Sequence, residues 1–401
     1  MARRARVAGR HSDARVNGDG RQEVCHVRCV SEANANGIRA AARMNYLTTG
    51  ALALAFLGAV PSTTHAQGAG IEWDILNDEV RELYEAGKYD RAVVVALEAL
   101  EVAEENVGPD HPDVATSLDS LALLYHSHAH YSKAEPLFKR SLAIRERAHG
   151  PDHPAVAASL NNLAVLYKTQ GDYAKAEPLQ RRSLAINERT FGPDHHSVAT
   201  DLNNLALLYK TLGDYAKAEP LYKRSLAIRE KALGPDHPLV AQSLNNLASL
   251  YATQGLYAKA EPLCKHSLAI REKALGPDHP DVAESLNNLG GLYESLGDYA
   301  KVEPLYKRSL AIYENALGPN HPDVATSLNN LAVLYRSQGD YGKAEQLYKR
   351  SLALREAALG PDHPDVAQSL ENLAELYRAT KRNRRAEPLE RRAASIRSIK
   401  R

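Results

Sequence analysis

Cysteine is nearly absent: the 401 residues hold three, Cys25, Cys29 and Cys264. Only Cys264 falls beyond the first 66 residues, so no internal disulfide can staple the main body, which must be held by core packing. Cys264 sits on an apolar stripe, where a packed thiol is expected and a reactive one is not. No charge of either sign dominates, with 50 Lys plus Arg against 49 Asp plus Glu, and beyond residue 66 the balance is 41 against 45. An interspersed, near-neutral surface excludes the basic stripe of a nucleic-acid-binding protein. Long apolar runs are missing too. The longest, Leu47 to Val60, is about 14 residues, short of the roughly 20 that a stable membrane span needs. Nor do unlike polar groups stand together as a nucleophile with its base or a carboxylate pair would. No cofactor is expected, and an enzyme is not.

Residues 1–43 are poor in large apolar residues and carry nine Arg against four acidic residues. They read as a disordered leader or an over-extended start, because Met44 opens a more meaningful segment. Cys25, His26 and Cys29 lie close together but lack a fourth metal ligand nearby. Residues 44–66, MNYLTTGALALAFLGAVPSTTHA, have the apolar core and small-residue end of a secretory signal peptide, with Thr64 and Ala66 before a cut at Gln67. No Cys lies at that point, which argues against a lipoprotein. Export to the periplasm or medium is expected, against cytoplasmic or membrane-tethered alternatives. Residues 67–71 would be a short linker.

What is abundant is repetition. Val114, Val156, Val198, Val240, Val282, Val324 and Val366 fall 42 residues apart, and Tyr125, Tyr167, Tyr209, Tyr251, Tyr293, Tyr335 and Tyr377 keep the same interval. A fixed period of this length means a solenoid, whose units bury their apolar faces only by stacking. Within one unit Val240, Leu244, Leu247, Ala248 and Tyr251 form one apolar helical face, Gly255 breaks it, and Ala260, Leu263, Cys264 and Leu268 form a second that ends at Gly276. The link GPDHP is turn chemistry with a Pro suited to a helix's first turn. Eight such hairpins fill residues 72–399, the first degenerate but in phase and both ends drifting, as capping units should. Pro136, Pro178, Pro220, Pro262, Pro304 and Pro388 recur inside the second helix, with Gln346 the departure. A bent second helix is expected, or else one that starts only near Glu261.

The order of these residues, with LNNLA at 244–248 and YAKAEPLYKRSLAIREKALGPDHP at 215–238, resembles the tetratricopeptide repeats of kinesin light chains and their bacterial relatives. The resemblance covers roughly residues 72–399. It implies an all-α, right-handed superhelical solenoid of about eight hairpins, first helices inside and second helices outside. It also implies a concave groove in which Asn side chains hold the backbone of an extended peptide. The heptad coiled coil that precedes the repeats of kinesin light chains is not found, so motor association does not carry over.

Candidate site residues follow from the periodicity. Asn161, Asn162, Asn203, Asn204, Asn245, Asn246, Asn287, Asn288, Asn329 and Asn330 recur as pairs about 110° to 150° away from the apolar stripe. Each amide offers a donor and an acceptor. The alternative is a ladder that only satisfies neighbouring repeats. Lys168, Lys210 and Arg336 lie near the first helix's end and vary between repeats, as do Glu284, Gly291 and Glu294. The expected function is a non-enzymatic scaffold that binds a partner protein or extended peptide. The rival readings are a metal-handling or enzymatic accessory protein using His126, His128 and His130, and a purely architectural rod. The seven link histidines, His111 to His363, recur too widely for one metal and read as helix-start residues. Residues 378–401 hold ten basic and two acidic residues, either a soluble cap or a docking patch for an anionic surface.

Overall fold

The computed structural model describes residues 64–399, with side chains from Gly70 onward. Sixteen helices stand among the described residues and no strand does. They are α1 (Thr64–Glu85), α2 (Tyr89–Val107), α3 (Pro112–Ser127), α4 (Tyr131–His149), α5 (Pro154–Gln170), α6 (Tyr173–Phe191), α7 (His196–Thr211), α8 (Tyr215–Leu233), α9 (Pro238–Thr253), α10 (Tyr257–Leu275), α11 (Pro280–Ser295), α12 (Tyr299–Leu317), α13 (Pro322–Ser337), α14 (Tyr341–Leu359), α15 (Pro364–Ala379) and α16 (Asn383–Ser398). Each odd helix pairs with the even one that follows and also packs on the even one before it, which gives eight hairpins stacked in chain order. From α3 on, successive odd helices also touch one another, while contact between successive even helices is sparser, so the odd helices lie on the inner side of the curve. The array is an all-α solenoid of stacked hairpins.

Residues 67–71, expected as a linker, are already helical within α1. The metal motif at Cys25–Cys29 and the apolar run from Leu47 to Val60 lie outside the described residues. No helix among those described is long and apolar enough to cross a membrane.

The repeated residues find repeated jobs. The Val-Ala pair near the start of the odd helices, such as Val240 and Ala241, is fully buried, as are Ala218 and Ala260 of the even ones, because small side chains let paired backbones approach. From α4 on, each unit is clipped to the next by a tyrosine: the hydroxyls of Tyr167, Tyr209 and Tyr251 donate to Glu135, Glu177 and Glu219 of the preceding even helix at 2.9, 2.7 and 2.8 Å. That glutamate is also held by a base one turn on, such as Lys139 at 2.7 Å, and a lysine lies over the tyrosine ring, Lys175 at 5.0 Å from the Tyr167 centroid. The conserved-looking E-P-L-x-K text is therefore the spelling of an inter-repeat junction. Even helices run unbroken from their Tyr through the sixth-position Pro, which excludes the start at Glu261; a Pro so near the N-terminus forfeits one intrahelical bond and no more.

At each hairpin turn the chain passes through positive φ, supplied by Gly in most units but by Ala129 (φ 57°) and Lys381 (φ 59°) in two. The expectation of polar capping faces holds in part. Glu72 and Glu79 replace the Val and Leu of other units, yet Ile71 and Ile75 are each 60% exposed at the N-terminal end.

The solenoid winds far enough to touch itself. His321 Nε2 lies 3.0 Å from the Glu85 carbonyl, and His363 Nε2 lies 3.1 Å from that of Ser127, both 236 residues apart and so between five and six units on. Gly87 packs so tightly on this contact that a Cβ there would stand 2.7 Å from Pro322 Cδ.

Candidate functional site: the inner face of the array

The link histidines cap helices, as their position before Pro implied. Nδ1 of His237 accepts from the Leu239 N–H at 3.1 Å and Nδ1 of His279 from the Asp281 N–H at the same distance, and the other five do likewise. Nδ1 must then be unprotonated, which leaves Nε2 as the N–H. In His321 and His363 that N–H meets the earlier superhelical turn, and both are 7% exposed.

The asparagine pairs divide by position. The first of each pair, Asn161, Asn203, Asn245, Asn287 and Asn329, is buried between repeats; these residues lie outside the stripe within a hairpin, as the helical angle implied, but inside the junction of two. Asn204 donates to Asn161 Oδ1 at 2.8 Å, Asn246 to Asn203 at 2.7 Å and Asn372 to Asn329 at 2.7 Å. Further along, Asn245 and Asn287 donate to Ser285 and Ser327 instead, at 3.3 and 3.0 Å, and their own Oδ1 atoms stay buried without a partner, as does that of Asn330. The second of each pair, Asn162, Asn204, Asn246 and Asn288, is half-buried on the inner side, while Asn330 is buried.

About two turns beyond each pair lies a variable column: His126, Lys168, Lys210, Ala252, Glu294, Arg336 and Arg378. It meets two neighbours. Across the repeat junction, Lys210 Nζ donates to Ser249 Oγ at 2.5 Å and Arg336 Nη1 to Glu375 at 2.5 Å. Across the hairpin, Glu294 accepts from the Tyr306 hydroxyl at 3.0 Å, and Arg378 forms a two-bonded pair with Glu390 at 2.9 and 2.6 Å. The Tyr306 ring fits because residue 290 is Gly, where a Cβ would lie 2.4 Å from the ring. Burial sets the electrostatics. Desolvation lowers the Lys168 amine to about 8 and that of Lys210 to about 7. It raises the Glu294 carboxyl, against the Tyr306 bond and the Arg336 charge.

At the base of the repeats a second column joins even to odd helices. Arg229 Nη1 donates to Gln242 and Ser243, and Arg271 Nη1 to Glu284 and Ser285, all at 3.0 to 3.2 Å. Between α6 and α7 this becomes Asn187 donating to Asp201 at 2.7 Å, with Ser183 donating at 2.8 Å. With no cation there, burial pushes the Asp201 carboxyl up to about 7. The Asp in a Ser column was visible in the sequence as a departure, and sequence reasoning passed over it.

The histidine cluster does not converge. His126 pairs with Thr169 at 3.1 Å, and His128 is buried with Nδ1 on the Leu124 carbonyl at 3.0 Å. His130 stacks beside His128 with centroids 6.1 Å apart. Among the described residues no three His, Cys, Asp or Glu side chains are placed to hold a metal. Cys264 is buried, and desolvation raises its thiol to about 12. The cationic C-terminal end is largely paired: Arg382 with Glu345 at 2.6 Å, Arg392 with Glu356, and Arg397 with Glu371 at 2.9 Å.

Among solved structures, BtubC of P. vanneervenii is similar at 27% identity, over 58% of this chain and 90% of its own, with a TM-score of 0.46. A kinesin-light-chain protein of Podosopora anserina with nearly identical TPR-like repeats is similar at 28% over 51% and 97%, with a TM-score of 0.44. A Rap protein solved with Competence and Sporulation Factor shares the fold at 16% identity over 82% and 98%, with a TM-score of 0.51. No curated protein matches the chain. The tetratricopeptide repeat profile matches seven overlapping segments, 83–147, 131–189, 165–231, 202–262, 239–315, 303–357 and 324–398. From the first hairpin to the last the chain is thus built of that one unit, and it belongs to the tetratricopeptide repeat family.

Proposed function

We propose that this array is a non-enzymatic scaffold whose inner face holds an extended segment of a partner protein. The observation that carries the reading is the division of the asparagine pairs: the first residue is buried at the repeat junction, while Asn162, Asn204, Asn246 and Asn288 stay half-buried on the inner side in four successive repeats, with Asn204 and Asn246 giving one donor to the junction. A bound backbone would pair with these amides at roughly 0.5 to 1.5 kcal/mol each, and Lys168, Lys210 and Arg336 would line the same face. The partner is a protein or peptide; the apolar run before Ala66 supports an exported location, with a mature chain beginning near Gln67, which N-terminal sequencing from the native host tests.

The test of the scaffold is a cross-linking pull-down followed by two triple variants. Asn162, Asn204 and Asn246 to Ala should weaken binding of the captured partner to the folded protein by ten to a few hundredfold, roughly, with some loss of melting point as well, because Asn204 and Asn246 also donate to the buried Asn161 and Asn203 oxygens. Asn203, Asn245 and Asn287 to Ala should lower the melting point, because those amides are buried. Equal partner affinity in the first variant would make the ladder purely architectural.

A further inference from the structure

The two ends of the array carry opposite charge. Residues 71–107, the first hairpin, hold eleven acidic and three basic residues, against two acidic and ten basic in 378–401. The positions that face a neighbouring unit are the ones that change. In most internal junctions an arginine of one even helix reaches a glutamate of the even helix before it, as Arg140 to Glu104, Arg224 to Glu188 and Arg308 to Glu272 do at 2.6 to 2.7 Å. At the N-terminal face that arginine's position is Glu98, and at the C-terminal face the glutamate's position is Ser398, followed by Lys400 and Arg401. Leu121 and Leu124, which α3 buries against the first unit, become Glu79 and Glu82 one period earlier. The column that holds Ser or Asp in units two to eight starts with Ile75, which is exposed beside Ile71. Glu72, Asp74, Glu82 and Glu98 are exposed and carry no ion pair among the described residues, and the same holds for Arg384 and Arg391, two turns apart on one stripe of α16. Arg391 stands at the position of Lys265, whose amine lies by Tyr293 of the following unit.

From this reversal we infer that the chain docks on a second copy of itself, head to tail: the acidic N-terminal face of α1 and α2 in one copy sits on the basic face of α16 in another, as a ninth unit would. The register of the repeats supports it. Inside the array Arg271 reaches forward to Glu284 of the next unit at 3.2 Å. Arg397 is the same position three periods later and Asp74 the same position as Glu284 five periods earlier. With no following helix Arg397 turns back to Glu371 at 2.9 Å. Docked in this register, Asp74 meets Arg397, Glu82 comes beside Arg391, Glu98 meets the basic end, and Ile71 and Ile75 leave water. Burial, and then the neighbouring Asp78 and Asp113 charges, raise the Asp74 carboxyl, as befits an acidic face without counter-ions. Like charges oppose pairing of two N-terminal or two C-terminal ends, so the contact is heterologous and does not close at two copies. It uses the ends and not the inner face, so it stands apart from the scaffold reading.

Sedimentation velocity of the full chain at low salt is the test. The weight-average sedimentation coefficient should rise with protein concentration past the value of a dimer, and return to that of a monomer as salt is raised and the charges are screened. Glu82→Lys with Glu98→Lys should weaken association by about tenfold or more, and Arg384→Glu with Arg391→Glu should do the same. All four side chains are exposed, so thermal melts of both variants should match the parent. Mixed in equal amounts, the two variants again offer complementary ends, and the mixture should associate as the parent does although each variant alone does not. The inference is overturned by a parent that stays monomeric at every concentration, which is the outcome if the chain's own N-terminal residues cover the face or if the charges serve only solubility. It is overturned equally by a closed dimer that ignores both variants, or by a mixture that associates no better than its components.

Discussion

Repeats three and four and repeats six to eight are written in the same 42-residue frame, and they end in opposite electrostatic states. In the later repeats the charges of the inner column and the covered histidines are met, Glu294 by Tyr306, Arg336 by Glu375, Arg378 by Glu390, and His321 and His363 by carbonyls of an earlier superhelical turn, while the Asn287 and Asn330 side-chain oxygens stay unbonded. In the earlier ones Lys168 stands alone, Gln180 is unbonded, and Asp201 faces Asn187 where other junctions use Arg with Ser. The frame sets where a polar residue goes; its neighbours one repeat or one superhelical turn away decide whether it is satisfied.

The largest effect that sharpens this contrast is at Asp201. Its folded value of about 7 stands above the ordinary 3.8, so its contribution to stability is fully present below pH 4, is lost as pH rises toward 7 and stays lost above it. Asp201→Asn should therefore match the parent near pH 4 and exceed it at pH 8 by on the order of 4 kcal/mol at most. Denaturant melts at the two pH values check this, and a gain that is equal at both would refute it. A smaller effect separates covered from uncovered links. His237→Ala removes a cap; His363→Ala removes the same cap and the bond to Ser127 as well. The second should cost about 1 kcal/mol more, and equal losses would mean that the superhelical contact adds nothing in solution. The smallest concerns the turns. Lys381 sits at φ 59° where most units have Gly, so Lys381→Gly should stabilise by under about 1 kcal/mol while Gly339→Ala destabilises by a similar amount or more. Opposite signs in thermal melts would show that the turn is not what limits the last unit.

Much of this was legible in the chain. The period, the hairpins, the capping role of the link histidines and the packed Cys264 all follow from spacing and local chemistry, because helical faces and caps involve residues within a few positions of each other. The even helices' start at Tyr was less so, since a sixth-position Pro permits either start and only the continuous helix excludes the later one. The metal alternative at His126, His128 and His130 read proximity in sequence as convergence, but a helix end and turn send the three rings to Thr169, the Leu124 carbonyl and a stacking contact.

The sequence by itself determined the unit and its count, because each unit's helices are specified by contacts inside 42 residues. Tertiary structure alone decided which asparagine of a pair is buried, why Lys168 lacks what Lys210 has, and why His321 is covered when His237 is not. Those outcomes depend on stacking angle and superhelical winding, which bring together residues 12, 39, 43 and 236 positions apart, and small rotations accumulated over several repeats leave no mark in any one of them.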